Sequence, residues 1–532
     1  MCNLGFFAMY VQKIVNKRGE KKYVHYLVQK SIREGKKVKH ITIANLSKLP
    51  LQVIEIIATM LKTGKVFKDF ADLKQGKSIG AIKTISEIAR RTGISQALGT
   101  SHQANLALFQ IAGRIICQGS RNYLANEWAE NQAIDDVFNI NSLTEDDLYA
   151  NLVWLSENQS KIEKKLFNFR HKDKSIKTLY LYDVTSSYLE GSKNELAAFG
   201  YNRDKKAGKK QIVIGLLTDE DGYPVSVEVF TGNTSDVTTV TSQLKKLKNN
   251  LGAERVIFVG DKGMIKSAQI KELNSDEYKW NYLTSITKEQ IKTLIKEDVM
   301  QLSLFDDDLV EVSQDGIRYI LRRNGYRASE SRDTRQSKIE KVKELVLNRN
   351  KYLLEHEKAK PSVALRKVNE KISNNGLKSI LTSELNEREI SITIDEEKLQ
   401  QASELDGCYV LKTDVPQSEM SKELAHERYK DLIEVEFAFR TMKTTLEDLR
   451  PIFVRKEAQT RGHVFVVMLA YIITKYISDE CKELEYTRAH IIDSIDKIQQ
   501  FEYDLKGSVI KAVSGQLKLN QQKIINRLGI KL

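Results

Sequence analysis

At 532 residues, with 41% hydrophobic and 29% charged side chains, the chain is too long for one compact core and too apolar to be disordered; domains of about 100–200 residues imply three or four units. A formal net charge of +13 fits either a polyanionic partner or a lysine-rich solvated surface. Four widely separated cysteines, Cys2, Cys117, Cys408 and Cys481, exclude Cys-x-x-Cys zinc signatures and a disulfide framework, and fit a reducing cytosol.

The N-terminal "MCNLGFFAMYVQK" has no basic region ahead of its apolar stretch, which argues against a signal peptide. Residues 8–45 alternate as strands do, through "YVQKIV", "KKYVHYLVQKSI" and "KKVKHITIANL", and predict a small basic antiparallel meander within residues 1–50. Residues 51–144 turn helical. Within them "TISEIARRTGISQALG" (84–99) fits either a DNA-contacting helix-turn-helix or a plain helical hairpin, with Gly93 in the turn and Ser95 as a cap. "EDDLYANLVWLSENQSKIEKKLF" (145–168) predicts an amphipathic helix burying Leu148, Leu152, Leu155, Ile162 and Leu166.

That helix leads into "TLYLYDVTSSYLEG" (178–191), an apolar strand that runs into Asp183. Three further strands follow, "QIVIGLLTD", "PVSVEVF" and "RVIFVGD", the first two joined by the turn "EDGYP" and the last preceded by a helix capped at Ser235 or Asp236. From 276 to 416 the pattern is mixed and more charged. "KWNYLTSI", "GIRYILRR" and "GCYVLKTDV" read as strands and "SKIEKVKELVLNRNKYLLEHEKAK" as a long solvated helix, together an inserted domain. The run "VFVVMLAYII" (464–473) falls short of the roughly 18 residues of a membrane span and predicts a buried helix. Residues 476–532 read as helical and charged.

The strongest helical signal is "KELAHERYKDLIEVEFAFRTMKTTLEDL" (422–449), in which Tyr429, Ile433, Glu436, Arg440 and Lys443 share one face. Taken alone, Glu436 is either an i, i+4 partner of Arg440 or a paired or metal-bound acid. Asp183 and Asp261 each terminate an apolar strand. Adjacent placement of those strands would bring both acids to one sheet edge, where like charges repel unless a cation intervenes. With Glu436 they would form a set of hard oxygen ligands suited to Mg²⁺ or Mn²⁺ rather than zinc.

In that order, "YDVTSSYLEG", "GYNRDKKAGKKQIVIGLLTDEDGYPVSVEVFTGNTSD", "VIFVGDKGM" and "YKDLIEVEFAFRTMKTTLEDLRPIFVRKEAQTRGHVFVVMLAY" closely resemble the Asp-Asp-Glu (DDE) transposases of bacterial insertion sequences. They resemble in particular the branch with a β-rich insertion before the catalytic glutamate and a Tyr-Arg-Glu-Lys signature. The resemblance spans about residues 145–475. It implies an α/β protein with an RNase H-like mixed-sheet catalytic core (145–275 and 417–475), an inserted β/α domain (276–416) and a mainly helical N-terminal DNA-binding region. Asp183, Asp261 and Glu436 take the catalytic, metal-ligating places, with separations of 78 and 175 residues. Tyr429 and Lys443 match the signature, while Leu432 stands where its arginine belongs, leaving Arg440 or Lys430 to substitute. Glu434 would serve only in an alternative register, off the shared face.

The activity so implied is cleavage and strand transfer at the terminal inverted repeats of an element, with two Mg²⁺ (or Mn²⁺) ions per site, double-stranded DNA as end and target, a homodimer at synapsis, and a cytoplasmic location. The alternatives are an RNase H-like nuclease without strand transfer and an inactive DNA-binding derivative. DNA contacts fall to Tyr429, Arg440, Lys443, Arg203 and Lys205, the last two equally readable as a solvated loop. Asn233 and Asp236 organise a turn, with Asp236 as a cap. Trp280 and Tyr409 are either base-stacking aromatics or core residues, and His463 is expected at a helix start.

Overall fold

The computed structural model describes residues 9–18, 21–34, 37–63, 72–171, 178–191, 193–444, 449–505, 508–513 and 516–532. They form two compact units, one from Met1–Lys165, Met442–Leu449 and Val454–Leu532, the other from Leu166–Thr441 and Arg450–Phe453.

In the first unit the strands Met9–Arg18, Lys21–Glu34 and Lys37–Asn45 make the antiparallel meander; residues 19–20 and 35–36 of its expected turns lie outside the described residues. The helix Gly80–Arg91 is followed at Gly93 (φ 83°) by a helix of only five residues, Ile94–Leu98, three of them buried. Of that short helix Gln96 is the one exposed residue, Ser95 being half-buried. Ser95 does not cap it, because Gly93 takes the cap position without a side-chain bond. The helix Glu145–Arg170 buries the five apolar residues its period predicts. It lies against the helix Glu457–Glu480 so closely that a Cβ on Gly462 would stand 2.0 Å from the Leu152 carbonyl oxygen. The run 464–473 is buried throughout, and among the described residues no helix is long and apolar enough to cross a membrane.

The C-terminal segment is not wholly helical. Strands Gln499–Leu505 and Ser508–Val513 form a hairpin, and the first of them pairs with Asp72–Ser78. That pairing satisfies the backbone polar groups of an edge that local pattern alone leaves open.

The second unit is built on one eight-stranded mixed sheet. Its strands are β1 (Thr178–Tyr188), β2 (Gln211–Asp219), β3 (Pro224–Thr231), β4 (Val256–Val259), β5 (Asn281–Ser285), β6 (Val310–Gln314), β7 (Ile317–Arg323) and β8 (Cys408–Thr413). Their spatial order is β6-β7-β8-β5-β4-β1-β2-β3. β1, β4 and β5 run parallel and the other pairings are antiparallel. β2, flanked on both sides, is buried at all nine positions, as its near-continuous apolar sequence requires. On β2, Gly215 makes room for Tyr182, whose hydroxyl would lie 2.3 Å from a Cβ there. Val240, Leu244 and Leu247, from the helix Asp236–Lys245 and the turn after it, pack with Tyr182, Phe258 and Tyr282 into the core beneath β1, β4 and β5.

The sheet also corrects the expected inserted domain. β5 is a parallel neighbour of β4, and β6, β7 and β8 extend the same sheet, so four strands from residues 276–416 are continuous with those before it. The helices Gly325–Glu355 and Pro361–Asn374 and the hairpin Leu381–Asn386/Glu389–Ile394 do have a hydrophobic cluster of their own. A strand's sequence reports burial and period, not which strand it pairs with.

Candidate active site

β1 and β4 pair in parallel with Leu181 opposite Val259. Asp183 and Asp261 each follow two residues later, so the two carboxylates leave neighbouring parallel strands at the same level. The chain after β4 turns sharply: Asp261 Oδ1 accepts the backbone N–H groups of Gly263 at 2.8 Å and Met264 at 3.0 Å. A side chain at 263 would press on that carboxylate, a Cβ there falling 3.2 Å from Oδ1. Asp183 Oδ1 accepts the N–H of Val184 at 2.8 Å. Each aspartate is thus oriented through one oxygen, and the other has no protein donor among the described residues.

The third carboxylate arrives from a different direction. The expected single helix over 422–449 is two helices, Lys422–Lys430 and Leu432–Lys443, broken at Asp431; residues 445–448 lie outside the described residues. Asp431 ends the first helix and is held by Arg428 at 3.0 Å. An aspartate is a poor helix-interior residue because its carboxylate competes locally with the backbone. Glu436, on the second helix, is exposed and has no hydrogen-bond or ion-pair partner among the described residues. The ion pair with Arg440 does not form, and Arg440 is likewise exposed and without a partner among them. Glu434 points elsewhere, its Cβ 3.0 Å from the position of a Cβ on Gly222 in the β2–β3 turn.

Electrostatics ties these groups together. Burial raises the Asp183 carboxyl from 3.8 to about 7; the Val184 N–H and the Arg203 guanidinium oppose the rise, and the charges of Asp261 and Glu436 add to it. Tyr429 donates its hydroxyl to Ser285 Oγ at 2.7 Å, at the end of β5. Burial raises its pKa first, opposed by the Ser285 bond, and the charges of Asp261, Asp183 and Glu436 raise it further. Asp183 and Tyr429 are therefore each within electrostatic reach of Asp261 and Glu436. Among the described residues no three His, Cys, Asp or Glu side chains converge into a ready-made metal cage. The donor chemistry nonetheless fits hard divalent cations: three carboxylates, two with a spare oxygen and one wholly unpartnered, repel one another unless positive charge is supplied.

The remaining candidates separate. Arg203 is committed to Asp236, its Nη2 lying 2.7 and 2.6 Å from the two carboxylate oxygens. Asp236 thus anchors Arg203, and no side chain caps the helix it begins. Lys205 is exposed at φ 56° in the β1–β2 connection, which also presents Phe199 and Tyr201 to solvent. Lys443 is buried, in contrast to Arg440. Leu432 is half-buried at the start of its helix, Lys430 is exposed, and Asn233 lies in an exposed turn. Trp280 is a core residue, 2% exposed, donating to the Glu254 carbonyl at 3.0 Å. Tyr409 is hydrogen-bonded and stacked on His426. His463 is seven residues into its helix, buried against Arg121 at 3.1 Å, with burial the first cause holding it neutral.

Three contributors escaped sequence reasoning. Ser285 looks like any strand-end serine. Asp204 accepts the Tyr188 N–H and pairs with Arg450 at 2.7 Å, fixing the basic connection to the end of β1. Local spacing gives no signal for partners this distant.

Residues 174–473, more than half of the chain, match the family "Transposase DDE domain", and the chain belongs to that family of DDE transposases. Residues 11–74 match the N-terminal domain of IS1634 family transposases, which makes it an insertion-sequence transposase. No curated protein sequence matches the chain. Among solved structures, the piggyBac transposase synaptic complex with hairpin DNA, determined by cryo-EM, aligns with 11% identity and a TM-score of 0.36 over 78% of this chain and 77% of that one.

Proposed function

We propose that this transposase cuts and rejoins DNA at the terminal inverted repeats of its own element, using Asp183, Asp261 and Glu436 to hold two Mg²⁺ or Mn²⁺ ions on an RNase H-like core. The observation that carries the reading is the parallel pairing of β1 with β4, which sets Asp183 and Asp261 at the same level of one edge, together with the charge coupling of Asp183 to both Asp261 and Glu436. The core is read as RNase H-like from its mixed sheet, three antiparallel strands continued by two parallel ones.

Bound divalent ions would activate the attacking oxygen and stabilise the departing one during in-line phosphodiester transfer. The chain's own contribution is orientation. Backbone amides fix one oxygen of each aspartate, and Glu436 closes the set from its helix. Tyr429, aimed by Ser285, and Arg440, exposed on the same helix as Glu436, hold phosphates next to the scissile one. Arg440 stands in for the signature arginine that Leu432 replaces. A DNA end must be paired with its partner end before joining, so the working form is a dimer acting on chromosomal DNA in the cytoplasm.

The test is an assay with pre-cut ends and a supercoiled target. Wild-type protein with Mg²⁺ gives strand-transfer products, and Asp261→Ala binds ends but neither cleaves nor joins. Cleavage without joined products would favour the nuclease alternative; normal cleavage by Asp261→Ala would overturn the assignment.

A further inference from the structure

Ser285, which receives the Tyr429 hydroxyl, lies three residues before Lys288, where Thr287 caps the helix Lys288–Lys296. Lys288 and Lys292 line a cavity of about 510 Å³, which Lys338 of the helix Gly325–Glu355 and Asn375, just past the helix Pro361–Asn374, also line.

The polar groups around this cavity are donors in excess of acceptors. Arg335 is spoken for: Nη2 lies 2.6 and 2.7 Å from the oxygens of fully buried Asp406, and Nη1 donates to Ser403. Arg327 pairs with Glu330 at 3.2 Å. Lys292 and Lys338 have no hydrogen bond or ion pair among the described residues, and Lys338 is half-buried. Asn375 Nδ2 is buried with no hydrogen-bond partner. Lys288 reaches Asp406 only at 3.5 Å. Against these stands one uncommitted carboxylate, Glu289, which is exposed. Half-buried ammonium and buried amide donors lacking acceptors are costly unless a ligand supplies oxygens.

We propose that this cavity is a phosphate subsite, filled by the DNA backbone a few nucleotides from the scissile bond. The ligand chemistry is that of phosphate oxygens, which suit ammonium and amide donors together. Position selects the source. Three residues of chain span at most about 11 Å, so the cavity begins within about three nucleotides of the groups around Tyr429 at 3.4 Å of helix axis per nucleotide. The proposal rests on the catalytic reading above.

The experiment measures binding of the full-length protein to a duplex taken from the DNA flanking its coding sequence, as a function of salt. Each neutralised phosphate contributes about 0.9 to the slope of log K against log salt. Lys292→Gln/Lys338→Gln is expected to lower the slope by about 1–2 and the affinity about tenfold, and to lose ethylation interference at a phosphate about three nucleotides from the cut. Asn375→Asp, with a negative charge in place of a donor, should act in the same direction, and Lys338→Arg should restore the slope, which separates charge from folding. An unchanged slope with interference retained overturns the subsite. So does a thermal shift of wild type, but not the double variant, by inorganic phosphate or pyrophosphate when the DNA slope is unchanged, because the cavity then holds a free anion. The two readings fail separately: cleavage surviving Asp261→Ala sinks the catalytic assignment and leaves the salt result standing.

Discussion

Replacing Asp183 by Asn should make the metal-free protein relatively more stable at high pH while abolishing its activity. The folded carboxyl titrates at about 7 against 3.8 for the free group, the dominant cause being burial. About three units at 1.36 kcal/mol each put the cost of ionising Asp183 in the fold at about 4 kcal/mol. The sign follows from proton counts. Between about pH 4 and pH 7 the folded state keeps a proton that the unfolded chain has lost, so stability falls as pH rises through this window and is flat above it. Asn does not titrate. From pH 5 to pH 8 the variant should therefore gain up to about 3 kcal/mol on the wild type, a difference from which any pH-independent cost of the amide cancels. Native-state hydrogen exchange at the amides of β1 and β4, in EDTA at both pH values, measures it. Saturating Mg²⁺ at pH 8 should close the gap by stabilising only the wild type. A gap that is independent of pH, or that narrows as pH rises, would refute the account of Asp183.

Glu436→Gln should lower strand cleavage by about 10³-fold or more, the several kcal/mol expected of a lost metal ligand, whereas Glu434→Gln should change it less than about threefold; a reversed order in a single-turnover assay would move the ligand to Glu434. Arg335→Ala leaves Asp406 buried without its main partner and should cost about 3–5 kcal/mol in urea unfolding, with Lys288 at 3.5 Å a weak replacement. A loss below about 1 kcal/mol would mean that Asp406 carries no buried charge. Gly462→Ala should cost more than about 2 kcal/mol, since its Cβ would stand 2.0 Å from the Leu152 carbonyl; unchanged thermal stability would mean that the two helices part easily.

The legible part of this molecule was the part whose signal is local. The period of the helix Glu145–Arg170 named its buried leucines, and the apolar run "QIVIGLLTD" announced the strand β2. The break at Asp431 is hidden by an apolar period that runs straight through it, and the aspartate between two helical stretches is its one local clue. The C-terminal hairpin has no local signature, because its pairing strand, Asp72–Ser78, lies more than 400 residues earlier. Trp280 illustrates the same gap: its chemistry invites base stacking, and only the fold shows it to be buried.

Sequence alone determined which side chains this protein has for chemistry: two aspartates that each follow an apolar run, a glutamate on a helix and the motif order that marks a DDE transposase. Residue type and short-range period are properties of the chain itself. Tertiary structure decided that β1 and β4 are parallel neighbours in register, that Ser285 aims Tyr429, and that four strands of the expected insertion join the same sheet. Pairing between distant strands is settled by the competition of all edges and apolar faces for burial, a balance that no single segment carries.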